Sequence, residues 1–166
     1  MSRIAGILSN SPSINLNKLL DCQKPSSPLN AWHNYIYNAG KTIIGYTGAY
    51  KTSVAENENV SVIIDGSIYN SKELGKGGDA EIIISLYKRY GFPALLSKLN
   101  GDFSIALQDS NSGELWLARD RVGVKPIYYT KCGAVFAFAS RCKALLEIPG
   151  VTREVDRQYV ALVAAS

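Results

Sequence analysis

GDAEIIISLYKRYG (residues 78–91), LNGDFSIALQDSNSGELWLARDRVGVKPIYY (residues 99–129) and FAFASRCKALL (residues 136–146) carry the reading of the fold. In the first segment Ile82, Ile83, Leu86, Tyr87 and Tyr90 recur at helical spacing, and Gly91 stops the run. Asp79 fits an N-cap there. Phe92 to Leu99 reads as a second, short helix. Phe103, Ile105 and Leu107 then alternate with Ser104, Ala106 and Gln108, the period of a strand. Asn111-Ser112-Gly113 turns the chain, and Leu115 to Ala118 returns. Ile127 to Thr130 and Val135 to Ala139 form the next hairpin through Lys131-Cys132-Gly133. Arg141 to Glu147 is a helix ended by Pro149-Gly150.

Outward from this block the chain starts with a strand, Ile4 to Leu8, tied in almost at the terminus. Leu16 to Cys22 is a short helix capped by Asn15 and ended at Pro25. Residues 29–40 show no clear period and read as loop. Thr42 to Tyr50 and Val60 to Asp65 are β-branched and aromatic enough for strands, joined by a polar turn at Glu56-Asn57-Glu58-Asn59. Asp65-Gly66 is a turn dipeptide, and Lys72 to Gly78 a mobile Gly- and Lys-rich connection. Val155 to Ala165 starts a last helix. Strands, then helices, then strands is an α+β order, which two antiparallel sheets between helix layers accommodate.

Composition narrows the function classes. At 166 residues the chain fits one domain, and 46% hydrophobic with 19% charged residues suits a globular core. The net charge of +4 is mild and the 18 basic residues are scattered, so a nucleic-acid footprint is not indicated. Cys22, Cys132 and Cys142 form neither an even set nor a Cys-x-x-Cys pair, and His33 is the single histidine. No metal site is expected from them. No apolar run reaches membrane-spanning length and no signal segment precedes Ile4, which makes the cytoplasm the default compartment.

The block Arg119-Asp120-x-x-Gly123-x-x-Pro126-x-Tyr128-Tyr129, the segment Ser140-Arg141-Cys142-Lys143-Ala144-Leu145 and the opening MSRIAGIL resemble the N-terminal glutaminase domain of asparagine synthetases, the class II glutamine amidotransferases. The resemblance is strong over residues 60–156, fair over 1–9 and poor over 10–50. It implies the N-terminal nucleophile hydrolase fold, a four-layer αββα sandwich. In that family the initiator Met is removed and the first residue of the mature chain supplies both nucleophile and base, so no His is needed.

The site positions carried over by the resemblance are altered. Ser2 stands where the nucleophilic Cys belongs, and Arg3 where the family has Gly. A serine hydroxyl is far less ionised than a thiol at neutral pH. Asp65-Gly66 matches the Asn-Gly pair whose side-chain amide and backbone N–H form the oxyanion hole, and an ionised Asp cannot donate. Asp79 matches the Asp that holds the substrate α-amino group, and a helix cap accounts for it equally well. The Arg that clamps the substrate carboxylate is missing between Lys41 and Tyr50, with Gly48 at its place. The Arg-His-Arg-Gly-Pro-Asp loop expected near residues 28–40 is missing too, leaving His33 as a remnant or a lone surface histidine. Arg141 replaces a Glu of the family.

The resulting expectation is a glutaminase-type domain (residues 1–150) with a degenerate pocket at Ser2, Asp65, Gly66 and Asp79. Residues 151–166 are read as the start of a linker helix towards a synthetase domain that the chain lacks. No Ser-Gly-Gly-x-Asp loop for ATP occurs, so no cofactor is expected in this domain; the resemblance implies ATP and Mg for the absent synthetase domain alone. The implied partner is that domain or a separate synthetase subunit; a homodimer is also admitted. The rival readings are a working N-terminal-serine amidohydrolase and a stand-alone binding module. Arg119 and Asp120 are read as a structural ion pair beside a Gly/Pro turn.

Overall fold

The alternation at residues 103–107 reaches further than its core positions. In a computed structural model, which describes residues 2–9, 14–24, 32–39, 41–48 and 54–165, strand β6 spans Gly101–Asp109 and returns as β7, Glu114–Arg119, in antiparallel register. On the other side of β6 lies β5, Val60–Ile68, with Asp65 opposite Ser104 and Gly66 opposite Phe103. Strand β4, Val54–Asn57, completes a four-stranded sheet in the order β4-β5-β6-β7. The second sheet has five strands. Its centre is β1, Ser2–Leu8, between β3, Thr42–Gly48, and β9, Val135–Ala139. β2, His33–Ala39, and β8, Tyr128–Cys132, form its edges.

Strand period decides which residues meet which layer. On the outer face of the four-stranded sheet, Val62, Ile64, Ile105 and Leu107 pack against helix α3, Asp79–Tyr90. That helix buries Ile82, Ile83 and Leu86 as its spacing predicts, with Ala80 and Ile84 added. α4, Phe92–Leu96, covers the same face, and Phe92 stacks on Trp116 at 5.2 Å. The five-stranded sheet turns Ala5, Ile7, Ala137 and Ala139 towards α1, Leu16–Asp21, and α5, Cys142–Leu145. Between the sheets lie Ile4, Ile44, Tyr46, Ile63, Ala106 and Phe138. Helix, sheet, sheet, helix: the four expected layers are present.

Several local expectations change. Residues 33–39 are a strand, not loop: Tyr35 and Tyr37 pack on the inter-sheet core while Ile36 is exposed, a short edge alternation. The part of that region before residue 32 lies outside the described residues, as do residues 49–53. Glu56–Asn59 does not join β3 to β5, which lie in different sheets; the turn at Glu58 and Asn59 closes the β4-β5 hairpin. The connection at 72–78 begins in a helical turn, α2, Ser71–Leu74. Asp65-Gly66 is no turn either: β5 runs straight through it to Ile68. Gly66 permits this with a φ of +127°, because a Cβ there would run into the Asp102 carbonyl oxygen of β6. α6, Arg157–Ala164, is exposed along its length and capped by Asp156. Among the described residues no helix is long and apolar enough to cross a membrane.

The Arg119–Asp120 block works differently from an ion pair. Arg119 is exposed, whereas Asp120 is buried and folds the loop between β7 and β8 around its carboxylate. Oδ1 accepts from the backbone N–H groups of Val122 (3.1 Å), Gly123 (2.6 Å) and Val124 (2.9 Å), and Oδ2 accepts from that of Lys125 (2.9 Å). Burial works to raise the Asp120 carboxyl, but the four N–H groups outweigh it and hold it below the ordinary carboxylate range. Asp120→Ala strands those donors, and a loss of about 2–4 kcal/mol is expected. For a chain of this length that lowers the melting temperature by about 5–12 °C in thermal melts. A depressed carboxyl stabilises above the unfolded value near about pH 4 and loses its contribution as pH falls through the lower folded value. The stability gap between wild type and Asp120→Asn is therefore expected to be full at neutral pH and to close in acid.

Candidate functional site

Strand β1 and strand β5 lie in different sheets, and their ends meet at the rim of the inter-sheet space. Ile4 and Ile63 fill the apolar part of that space, and one strand period onward from each come Ser2 and Asp65. Asp65 is only 1% exposed. Its Oδ1 accepts the hydroxyl of Ser2 at 2.8 Å and the ammonium of Lys125 at 3.0 Å. Its Oδ2 lies 3.5 Å from the Arg3 guanidinium, which also donates to the Ser2 carbonyl at 2.7 Å. A buried carboxylate costs several kcal/mol unless it is paired and hydrogen-bonded, and here three donors surround it.

Lys125 is the member of this group that the sequence reading did not single out. It sits on the loop that Asp120 folds, and its own backbone N–H is one of the four that bind Asp120. The signal was present in the strand IIDGSI: a charge inside an otherwise apolar strand requires a cation from elsewhere in the chain.

The other expected positions divide. Gly66 follows Asp65 along β5 and is pressed against Asp102. Asp79 is not the helix cap: Gly78 holds that place, with the Glu81 carboxylate accepting from its N–H at 2.9 Å. Asp79 already belongs to the helix, and its Oδ2 turns back to accept the Ile68 N–H at 2.8 Å. It fastens α3 to the end of β5 rather than joining Ser2 and Asp65. Gly48, opposite Ser2 in the β1-β3 register, has no room for a clamp side chain, since the Tyr46 hydroxyl occupies the space a Cβ would take. His33 begins edge strand β2 and is exposed.

A cavity of about 510 Å³ opens beside Asp65. Arg3, Lys125, Arg141, Cys142 and Lys143 are among the residues that line it. Neither Gly66 nor Asp79 lines it.

A family model described as a glutamine amidotransferase domain matches residues 39–165. This chain belongs to that family. It is 32% identical over 124 residues to asparagine synthetase [glutamine-hydrolyzing] 2 of Bacillus subtilis, covering 69% of this chain and 16% of the relative. It is 34% identical over 113 residues to asparagine synthetase [glutamine-hydrolyzing] 3 of the same organism, covering 61% and 18%. The domain thus spans less than a fifth of the length of these two relatives. Among solved structures it is similar to a glutamine phosphoribosylpyrophosphate amidotransferase from B. subtilis complexed with ADP and GMP. That likeness has a TM-score of 0.67 at 17% identity, over 86% of this chain and 42% of that one. At that identity the likeness establishes the fold, the N-terminal nucleophile hydrolase type.

The paired Asp65 makes a quantitative expectation. Lys125→Met leaves a buried carboxylate with only the Ser2 hydroxyl and Arg3 beside it, and is expected to cost about 3 kcal/mol. Adding Asp65→Asn removes the orphaned charge, so the double variant is expected to recover most of the loss in denaturant titration. Additive losses would show that the two residues do not interact.

Proposed function

We propose that this domain belongs to an asparagine synthetase-like protein, hydrolyses no glutamine, and serves as a scaffold for an ATP-dependent amide-forming synthetase domain, tethered or separate. In this reading residues 1–150 are the scaffold body and residues 151–166 begin the linker. ATP and Mg belong to the other domain. The observation that carries the reading is the 2.8 Å contact of Ser2 Oγ with Asp65 Oδ1.

Amide hydrolysis by a side-chain nucleophile places negative charge on the former carbonyl oxygen, and donors about 2.7–3.1 Å away must receive it. Asp65 stands at the position that resembles the oxyanion donor, and it offers a second negative charge instead. Losing one donor typically costs about 100- to 1,000-fold in rate, and a facing carboxylate adds repulsion. The substrate clamps are spent as well. Asp79 is bonded to Ile68, and Gly48 carries no side chain to grip a carboxylate.

The same contact favours one rival. A carboxylate within reach of a serine hydroxyl is a nucleophile–base arrangement. Against it, the oxygen that accepts from Ser2 also accepts from Lys125, and Arg3 stands near the other. Each carboxylate oxygen therefore already has a cation beside it.

An ammonia-release assay with glutamine separates the two. The wild type is expected to stay at background, and Ser2→Cys is expected to stay there too, because Asp65 still opposes the oxyanion and nothing grips the substrate carboxylate. Turnover by the wild type that Ser2→Ala abolishes would establish the serine amidohydrolase and sink the scaffold reading.

A further inference from the structure

The cavity beside Asp65 has a charge pattern that amide hydrolysis does not call for. Arg3, Lys125, Arg141 and Lys143 all line it, and Asp65 is the single carboxylate among the described residues that do. Arg3 and Lys125 share that carboxylate. Arg141 and Lys143, both exposed, face the cavity from the first residues of α5 and its cap. Two of the positions carry extra positive charge relative to the resembled family, Arg3 for Gly and Arg141 for Glu.

The backbone that carries these cations is anchored to the frame. The Arg141 N–H donates to Gln23 Oε1 at 3.1 Å, and Gln23 is itself 1% exposed. Ser140 Oγ accepts from the Ile4 N–H at 2.9 Å, fixing the end of β9 to β1. Lys125 is held through Asp120. Cations presented from rigid elements lose less freedom when they close on an anion. The rest of the lining is Val124, Pro126 and the half-exposed Tyr128, with Ser140 and Cys142.

We propose that this cavity is a receptor for a phosphate group, carried as a small phosphate monoester whose organic part lies against Val124, Pro126 and Tyr128. A phosphate dianion suits a cavity lined by two arginines and two lysines against one carboxylate, with Arg offering a planar fork and Lys a point charge. About 510 Å³ exceeds what inorganic phosphate fills and leaves space for a compact organic group. The inference rests on the reading that the Ser2–Asp65 contact is not a hydrolytic centre, which leaves the adjoining cavity free for another ligand.

Calorimetric titration of the 166-residue chain with inorganic phosphate and with phenyl phosphate, at constant ionic strength, tests it. Saturable binding of both is expected, with phenyl phosphate tighter by about threefold or more. Arg141→Glu is expected to weaken both at least tenfold, and Lys143→Glu likewise. Lys88→Glu, an exposed lysine on α3 outside this cavity, is the control for general electrostatics and is expected to change affinity less than twofold. Circular dichroism of each variant checks that the fold persists. No saturable binding at millimolar ligand, binding that survives Arg141→Glu, or an equal loss with Lys88→Glu would each overturn the receptor. Tighter binding of inorganic phosphate than of phenyl phosphate would overturn the ester. The two failures are distinguishable: glutamine turnover removes the scaffold reading and with it the premise of the receptor, whereas absent phosphate binding removes only the receptor.

Discussion

A carboxylate enclosed between two β-sheets has to find its counter-charges within a few ångströms, and Asp65 imposes that requirement on everything around it. Burial of the charge alone costs several kcal/mol. The chain meets the cost through a series of dependencies. Asp120 gathers four backbone N–H groups and so shapes the loop after β7. The loop aims Lys125 at Asp65. Asp65 in turn holds the Ser2 hydroxyl, and Arg3 bridges the Asp65 carboxylate and the Ser2 carbonyl. The end of β1, in one sheet, is thereby tied to β5 in the other, beyond the last apolar contact between them.

The arrangement that makes Asp65 tolerable also decides what the rim can do. An oxyanion hole is a set of donors awaiting a charge that appears only in the transition state. Here the rim carries the Asp65 carboxylate, with Ser2, Lys125 and Arg3 around it. Asp65, Arg3 and Arg141 differ from the resembled pattern at positions far apart in sequence, yet all three face one cavity. Arg3 pairs with Asp65, while Arg141 lines the same cavity.

Much of the frame was legible in the sequence because it rests on periodicity. The helical spacing in 79–90 and the alternation in 103–107 fixed a helix and a strand with their buried faces, and the structure places them so. Readings failed where a residue's role depends on a partner distant in sequence. β2 hides in an alternation whose inward positions are tyrosines, which bury only because Tyr46 lies beneath; Tyr35 and Tyr46 sit 5.7 Å apart. Asp65-Gly66 has the composition of a turn, but β6 supplies the close backbone approach that lets a strand continue through it. Asp120 looked like half of an ion pair because its neighbour is Arg119, whereas loop N–H groups satisfy it. At the site, Ser2, Arg3 and Asp65 were identifiable as departures from a pattern, but their mutual contact was not. Lys125, 60 residues from Asp65, carried no local mark.

Frame and site are separable because they draw on different terms. The two outer clusters and the inter-sheet core are apolar, and none of their buried members contributes a charge to the rim. The strongest geometric constraint near the site, the close passage of β5 and β6 at Gly66, is set by backbone atoms and is indifferent to the chemistry of Ser2 or Asp65. Substitutions at the rim are therefore limited by charge balance rather than by packing. A chain that lost Asp65 alone would leave Lys125 and Arg3 facing each other across the gap it vacated. One that lost Lys125 alone would strand a carboxylate. Asp65 and Lys125 thus balance each other's charge at the rim, and a change at either one alone leaves the other uncompensated.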